Sequence, residues 1–296
     1  MSDARPDPGA ANPRIPFEML DERVSPPAPG GKPLIVHVVV NVEHWPFDRP
    51  LPRSLLSAPH GVEPVPNVAN FSWVEYGLRC GMPRLLHALG ARGLTATAAI
   101  NSSVIDAYPR CAERILEAGW EFMGHGEVQR SLQAEEDEAA VIERSLRRIS
   151  AFTGRPVRGW LGPGLHETGR TPELLRGHGI EYVCDWVLDD LPCALHTQAG
   201  DLIAVPYSLD LNDVVVYLVE RQPSEEIDRR VADTLSILEP ELESAPRVLT
   251  LPLHPHVIGV PHRLRHLLRA LDRLAARPDT VFMTGAEILD WYLGRT

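Results

Sequence analysis

Long apolar runs are missing from this 296-residue chain: no stretch approaches the ~18 continuous apolar residues that a membrane span requires. The start, Met1-Ser2-Asp3-Ala4-Arg5-Pro6-Asp7-Pro8, has no apolar export core either, so a cytoplasmic protein is expected, with no membrane partner. Cysteine is scarce. Cys80, Cys111, Cys184 and Cys193 show neither C-x-x-C spacing nor a dense framework, which excludes a zinc knuckle and a disulfide scaffold and reads as four reduced thiols. Positive charge is in deficit: 29 Lys and Arg against 40 Asp and Glu give a formal net charge of -11, so no nucleic-acid partner is expected, since one would need a clustered positive patch. The densest basic run, Arg263, Arg265, Arg269 and Arg273, has helical spacing beside leucines and reads as a solvated helix face. No Gly-x-Gly-x-x-Gly and no Walker loop supports nucleotide binding.

What is present is a regular alternation. Residues 1–32 are rich in Pro, Gly and Ala and read as an extended N-terminal arm, docked through Ile15–Leu20. From 33 to 296 the pattern is one domain. Strands are expected at Pro33–Asn41, Leu94–Ile100, Trp120–Gly124, Val157–Leu161, Ile180–Cys184, Ile203–Val205, Arg247–Leu253 and Val281–Met283. Between them fall helical patterns at Gly81–Arg92, Tyr108–Ala118, Glu135–Phe152, Pro172–His178, Glu225–Leu238, Leu264–Ala276 and Gly285–Leu293. Strands alternating with helices, with polar residues gathered just after the strands, predict an α/β fold of the parallel barrel type with its site at the strand C-termini. The proline-punctuated stretch Pro46–Phe71 has no period and is long for a connection, which marks it as a lid or rim.

Three polar clusters stand at strand tips: Glu43-His44, His125 with Gln129, and His254 with His256. One carboxylate and several imidazoles in one cleft can bind a divalent metal, activate water and donate a proton to a leaving group. His125 lies between two glycines, so the backbone can turn there and release the ring into a cleft; a strand-end histidine satisfied within the core is the competing reading. Candidate substrate contacts are Trp45 and Trp160 as aromatic walls, Gly162 and Pro163 as a stiff turn with exposed N–H groups, and Asp185, Tyr207 and Asn212 as polar rim. Core packing for the indoles and turn chemistry for the polar groups remain the alternatives.

These residues carry a resemblance. Val40-Asn41-Val42-Glu43-His44-Trp45, Gly124-His125-Gly126-Glu127-Val128-Gln129, Gly159-Trp160-Leu161-Gly162-Pro163-Gly164, Asp189-Asp190-Leu191-Pro192, Pro206-Tyr207-Ser208-Leu209-Asp210-Leu211-Asn212-Asp213 and the run from Leu253-His254-Pro255-His256 to Arg263 resemble the polysaccharide deacetylase, or NodB-homology, superfamily, within it the branch of cofactor-independent allantoinases and cyclic imide hydrolases. The resemblance covers about Leu34 to Leu293 and implies a deformed (β/α) barrel of about seven parallel strands that assembles as a homo-oligomer, a dimer or tetramer. In sugar deacetylases of that superfamily the first motif carries two aspartates, matched here by Glu43 and His44, and the second carries two histidines, matched by His125 and Gln129. The implied roles are Glu43 as base, His254 as acid, and His44, His125 and Gln129 as ligands of one divalent metal, zinc or manganese; a metal-free route stays open beside it. The implied reaction is hydrolysis of a C–N bond in a small cyclic amide, imide or ureide, with His256 contributing to substrate binding. Deacetylation of an N-acetylated sugar and a non-catalytic binding protein on the same barrel are the two rivals.

Overall fold

The chain is described by a computed structural model over residues 11–58 and 61–295; positions 1–10 of the expected arm lie outside the described residues. Among the described residues nine strands form one sheet: β1 (Leu34–Val42), β2 (Thr97–Ile100), β3 (Glu121–Gly124), β4 (Gly159–Trp160), β5 (Tyr182–Val183), β6 (Cys193–Leu195), β7 (Leu202–Ala204), β8 (Arg247–Leu253) and β9 (Thr280–Phe282). The helices are α1 (Val68–Tyr76), α2 (Met82–Gly90), α3 (Val104–Ala107), α4 (Pro109–Glu117), α5 (Glu138–Thr153), α6 (Thr171–Gly177), α7 (Glu226–Leu242), α8 (Pro261–Ala275) and α9 (Gly285–Tyr292).

β1 is the spine. All nine of its residues are buried, as expected of a β-branched run covered on both faces. Its full length is used: Leu34–Val40 pair with β8 on one side, while on the other Leu34–Val36 pair with β9 and Val39–Val42 with β2. From there the order β2, β3, β4, β5, β7 continues in parallel, and β6 folds back antiparallel on β7. The two ends of this curved sheet meet without a strand ladder. Val248 N–H donates to Asp190 O at 2.9 Å and the Thr250 hydroxyl to Pro206 O at 2.7 Å, which bridges the seam of a deformed barrel.

The alternation of faces sorts the core into two sets. Ile35, Val39, Ala99, Met123, Leu161 and Tyr207 fill the barrel interior with Val205 and Val248, whereas Val36, Val38, Val40, Ala98, Ile100 and Trp160 pack outward under the helices. Helix ends follow local chemistry. Asp137 accepts from Ala140 N–H to start α5, Gly154 ends it at φ 69°, and Thr284 with Glu287 forms a capping box on α9.

Some elements differ from the expectation, among them the short helix α3, which precedes the helix expected from Tyr108. Helix begins at Val68 rather than Gly81, and α1 runs through a wide turn at Gly77–Gly81 into α2. β6 was not expected at all, since Cys-Ala-Leu is short and follows a proline. The N-terminal segment docks through arginines more than through Ile15–Leu20: Arg14 binds Glu173 at 2.8 Å and Arg23 binds Asp189 at 2.6 Å, Ile15 is buried, and Phe17 is 85% exposed. Arg265, Arg269 and Arg273 are exposed on α8 as expected, but Arg263 turns inward over the Tyr217 ring at 4.5 Å. All four cysteines are free, and among the described residues no helix is long and apolar enough to cross a membrane.

Candidate active site

The tips of β1, β3 and β8 deliver Glu43, His125 and His254 to one cavity of about 780 Å³ at the C-terminal mouth of the barrel. The Gly-His-Gly sequence at β3 has a reason on each side. A Cβ on Gly124 would lie 2.6 Å from the Trp160 ring, and Gly126 turns the chain at φ 71°, a conformation that side chains resist. Between them the His125 ring is buried, and Nδ1 lies 2.6 Å from Leu161 O. A carbonyl only accepts, so Nδ1 carries the proton. In the neutral ring Nε2 is then a bare acceptor, buried without a partner and 3.9 Å from Glu43 Oε1.

Glu43 is held from its other oxygen: Trp45 Nε1–H donates to Oε2 at 2.7 Å. Burial by itself would push this carboxyl up, but the His125, His254 and His256 imidazoles around it bring it down to about 2, so it is ionised across the working range. His254 Nε2 stands 3.6 Å from Glu43 Oε1. Behind it Asp213 clamps the residue twice, accepting from Nδ1 at 2.6 Å and from the backbone N–H at 2.7 Å. Burial opposes charge on His254, yet the Asp213 and Glu43 carboxylates outweigh it and raise its pKa. His256 has no such carboxylate in contact. It lies edge-on to Trp45, Trp73 and His254, and burial drives it down to about 3, a neutral ring.

The turn that carries both histidines is pressed onto the α1–α2 junction. A Cβ at Gly77 would sit 2.4 Å from the His256 backbone nitrogen, and one at Gly81 would sit 2.0 Å from Pro255 O. Only glycine admits this approach.

Several expected contacts assemble. Trp45, Pro163, Tyr207, Asn212, Gln129 and His256 all line the cavity. The Tyr207 hydroxyl accepts from Asn41 Nδ2 at 3.2 Å, which leaves its own hydrogen for the cavity; burial raises its pKa, so that hydrogen stays on. Other expectations are corrected. Trp160 points away from the cavity into the layer under the helices, because one position separates it from the inward Leu161. The Gly162 N–H is taken by Asp185, whose two oxygens lie at 2.8 and 3.0 Å, so neither residue is free for substrate. Asp185 is instead a buried carboxyl raised well above its usual range, first by burial and then by the neighbouring Glu167.

The expected metal ligands do not converge. His44 is outside the cavity lining: its Nδ1 is 2.8 Å from the Ser103 hydroxyl, its ring stands edge-on to Tyr108, and burial lowers its pKa. The Ser103 hydroxyl hydrogen already goes to Glu127 O, so His44 Nδ1 is the donor. Gln129 Oε1 stands 3.5 Å from Asn101 Nδ2. Among the described residues no three His, Cys, Asp or Glu side chains form a group that could hold a metal ion, and His44, bonded to Ser103, stands outside the cavity that His125 and Gln129 line, so the three donors do not fit one ion as placed. Sequence reading also missed two kinds of residue. Asp213 stands in the sequence only as the end of a motif, with no role of its own, and Arg49 and Arg53, which line the mouth from the proline-rich loop, carry no signal beyond that loop's length.

Comparison with known proteins agrees with this architecture. A profile described as polysaccharide deacetylase matches residues 72–183, from α1 through β5. A polysaccharide deacetylase-type protein of Schizosaccharomyces pombe is 26% identical over 297 residues, covering 88% of this chain and 91% of its own length. Among solved structures, the PuuE allantoinase superposes with a TM-score of 0.83 at 24% identity, covering 92% of this chain and 94% of that one. A polysaccharide deacetylase-type structure from Pseudomonas aeruginosa gives 0.81 at 23%, covering 92% and 95%. The chain is thus similar to polysaccharide deacetylases over residues 72–183 and shares its barrel fold with these solved structures.

Proposed function

We propose that this protein hydrolyses a C–N bond of a small cyclic amide, imide or ureide. The observation that carries the reading is the Glu43 carboxylate set between the Nε2 atoms of His125 and His254, at 3.9 and 3.6 Å, inside a cavity of small-ligand size. A ring carbonyl seated there meets the Tyr207 hydroxyl, and a ring N–H meets the acceptor Nε2 of His125. Water then attacks the carbonyl carbon. Its proton passes to Glu43, a weak base in the empty site but matched to a water that becomes acidic as its oxygen bonds to carbon. The Tyr207 hydroxyl stabilises the developing oxyanion, and the His254 imidazolium, held by Asp213, gives its Nε2 proton to the departing nitrogen. The structural likeness to an allantoinase supports a ring substrate.

The match to a polysaccharide deacetylase profile favours a second reading, removal of an acetyl group from an N-acetylated sugar. The two separate in a single screen of purified protein against dihydrouracil, hydantoin, succinimide, allantoin and N-acetylglucosamine oligomers. Ring opening that falls at least about a hundredfold in His254→Ala supports the first. Deacetylation of the oligomers alone supports the second. Ligand-dependent thermal stabilisation without any product would mark a binding protein. We further propose that the protein works as a homo-oligomer, supported by the exposed Phe17 (85%) and Val24 (96%) of the docked N-terminal segment.

A further inference from the structure

The charge lining the cavity runs against the charge of the chain. The protein carries a net charge of -11, yet the cavity contains one carboxylate, Glu43, and three guanidiniums, Arg49, Arg53 and Arg130. Glu43 is on the floor and already faces imidazoles. Arg130 is occupied at the rim, donating to Ala134 O at 2.6 Å and lying 3.5 Å from Glu135. Arg49 and Arg53 differ: among the described residues neither makes an ion pair within 4.0 Å or a side-chain hydrogen bond. Some exposed arginines, such as Arg110, Arg144 and Arg229, find carboxylates and others, such as Arg155, Arg265 and Arg269, do not; Arg49 and Arg53 are set apart by lining the cavity.

The loop that presents them is stiff. Pro46, Pro50 and Pro52 each fix their own φ and line the same cavity, so the backbone that presents both arginines at the mouth has little freedom to lose. Arg53 also stands close enough to be felt by the reacting end, where its charge lowers the pKa of both His254 and His256. A cation lining the same cavity as an imidazolium, with no carboxylate of its own, is an unsatisfied arrangement that an anion entering with the substrate would complete. A guanidinium offers parallel N–H donors that match the two oxygens of a carboxylate.

Building on the cyclic amide reading, we infer that the substrate carries a carboxylate outside the scissile ring and that Arg53, with Arg49, forms the subsite that binds it. The ring lies on the Glu43–His254 floor and the carboxylate points to the mouth. Arg53 is thereby a specificity-determining residue rather than a catalytic one. Its interaction is made equally in ground and transition states and acts through KM.

The test compares matched pairs, hydantoin with hydantoin-5-acetic acid and dihydrouracil with dihydroorotic acid, in the wild type, Arg53→Glu and Arg49→Glu. The carboxylated ring should show a KM lower by about tenfold or more than its neutral partner, and the acid-to-neutral ratio of kcat/KM should fall by at least about tenfold in Arg53→Glu. Both arginines are exposed, so thermal melting should confirm that the variants fold. In the wild type, about 0.5 M NaCl should raise KM for the acids only. A separate calorimetric measurement with succinate and succinamide needs no turnover. If no ring opens but succinate binds better than succinamide and loses that advantage in Arg53→Glu, the anion subsite stands and the ring-hydrolysis reading fails. Neutral ligands bound as well as the acids, or no binding of either, would overturn the subsite.

Discussion

His254 and His256 stand two residues apart on one turn and line one cavity, yet their environments drive them in opposite directions. His254 meets Asp213 at 2.6 Å and Glu43 at 3.6 Å and is raised; His256 meets two indole edges and falls to about 3. Sequence presents the same residue type twice. The difference lies in what the rest of the fold brings to each ring, and it assigns proton transfer to one and shape to the other.

That contrast can be broken most severely at His254. His254→Ala should lower kcat by about 10²–10⁴ on whichever amide the wild type opens, in steady-state assays. Asp213→Asn should cost less and change the profile. The imidazolium is the acid, so activity falls as pH rises through the raised pKa of His254. Without the Asp213 charge that pKa drops and the alkaline limb moves to lower pH. Glu43, at about 2, keeps its charge throughout and should impose no acid limb above about pH 4.

A steric break comes next. Gly81→Ala would drive a methyl group into Pro255 O, so a loss of about 1–3 kcal/mol in thermal unfolding is expected, along with lower turnover as the histidine turn shifts. His256→Phe should be milder. A ring of similar shape replaces one that is already neutral, so kcat should stay within about tenfold and the pH limbs should not move. The smallest effect is expected at the residue that first resembled a ligand. His44→Ala should change kcat by less than about fivefold, and chelator treatment should leave the wild type unchanged; activity lost to chelation and restored by zinc or manganese would contradict the ligand geometry described above.

The legibility of the chain follows from the same physics. β1 and β8 were readable because continuous β-branched and apolar runs have one stable use, a strand covered on both faces. Glu43, His125 and His254 were readable because polar residues at strand tips must converge in a barrel. Trp160 was misassigned because a two-residue strand gives no alternation from which to tell which face it takes. His44 was misassigned because its outcome depends on Ser103 and Tyr108, reached only through a different strand and helix. Asp213 lies 41 positions from His254, and nothing local says that it turns toward that ring. Helix α1 escaped notice since Asn70, Ser72 and Glu75 interrupt any apolar stripe. Arg49 and Arg53 sit in a loop without period, where the prolines signal stiffness but not direction.

The contrast between the two histidines is tested most directly by the pH dependence of kcat/KM for ring opening, measured in the wild type and in Asp213→Asn. A single alkaline limb in the wild type, displaced to lower pH in the variant with reduced turnover, is the expected result. Identical profiles in the two proteins would show that the Asp213–His254 pair is not the proton donor.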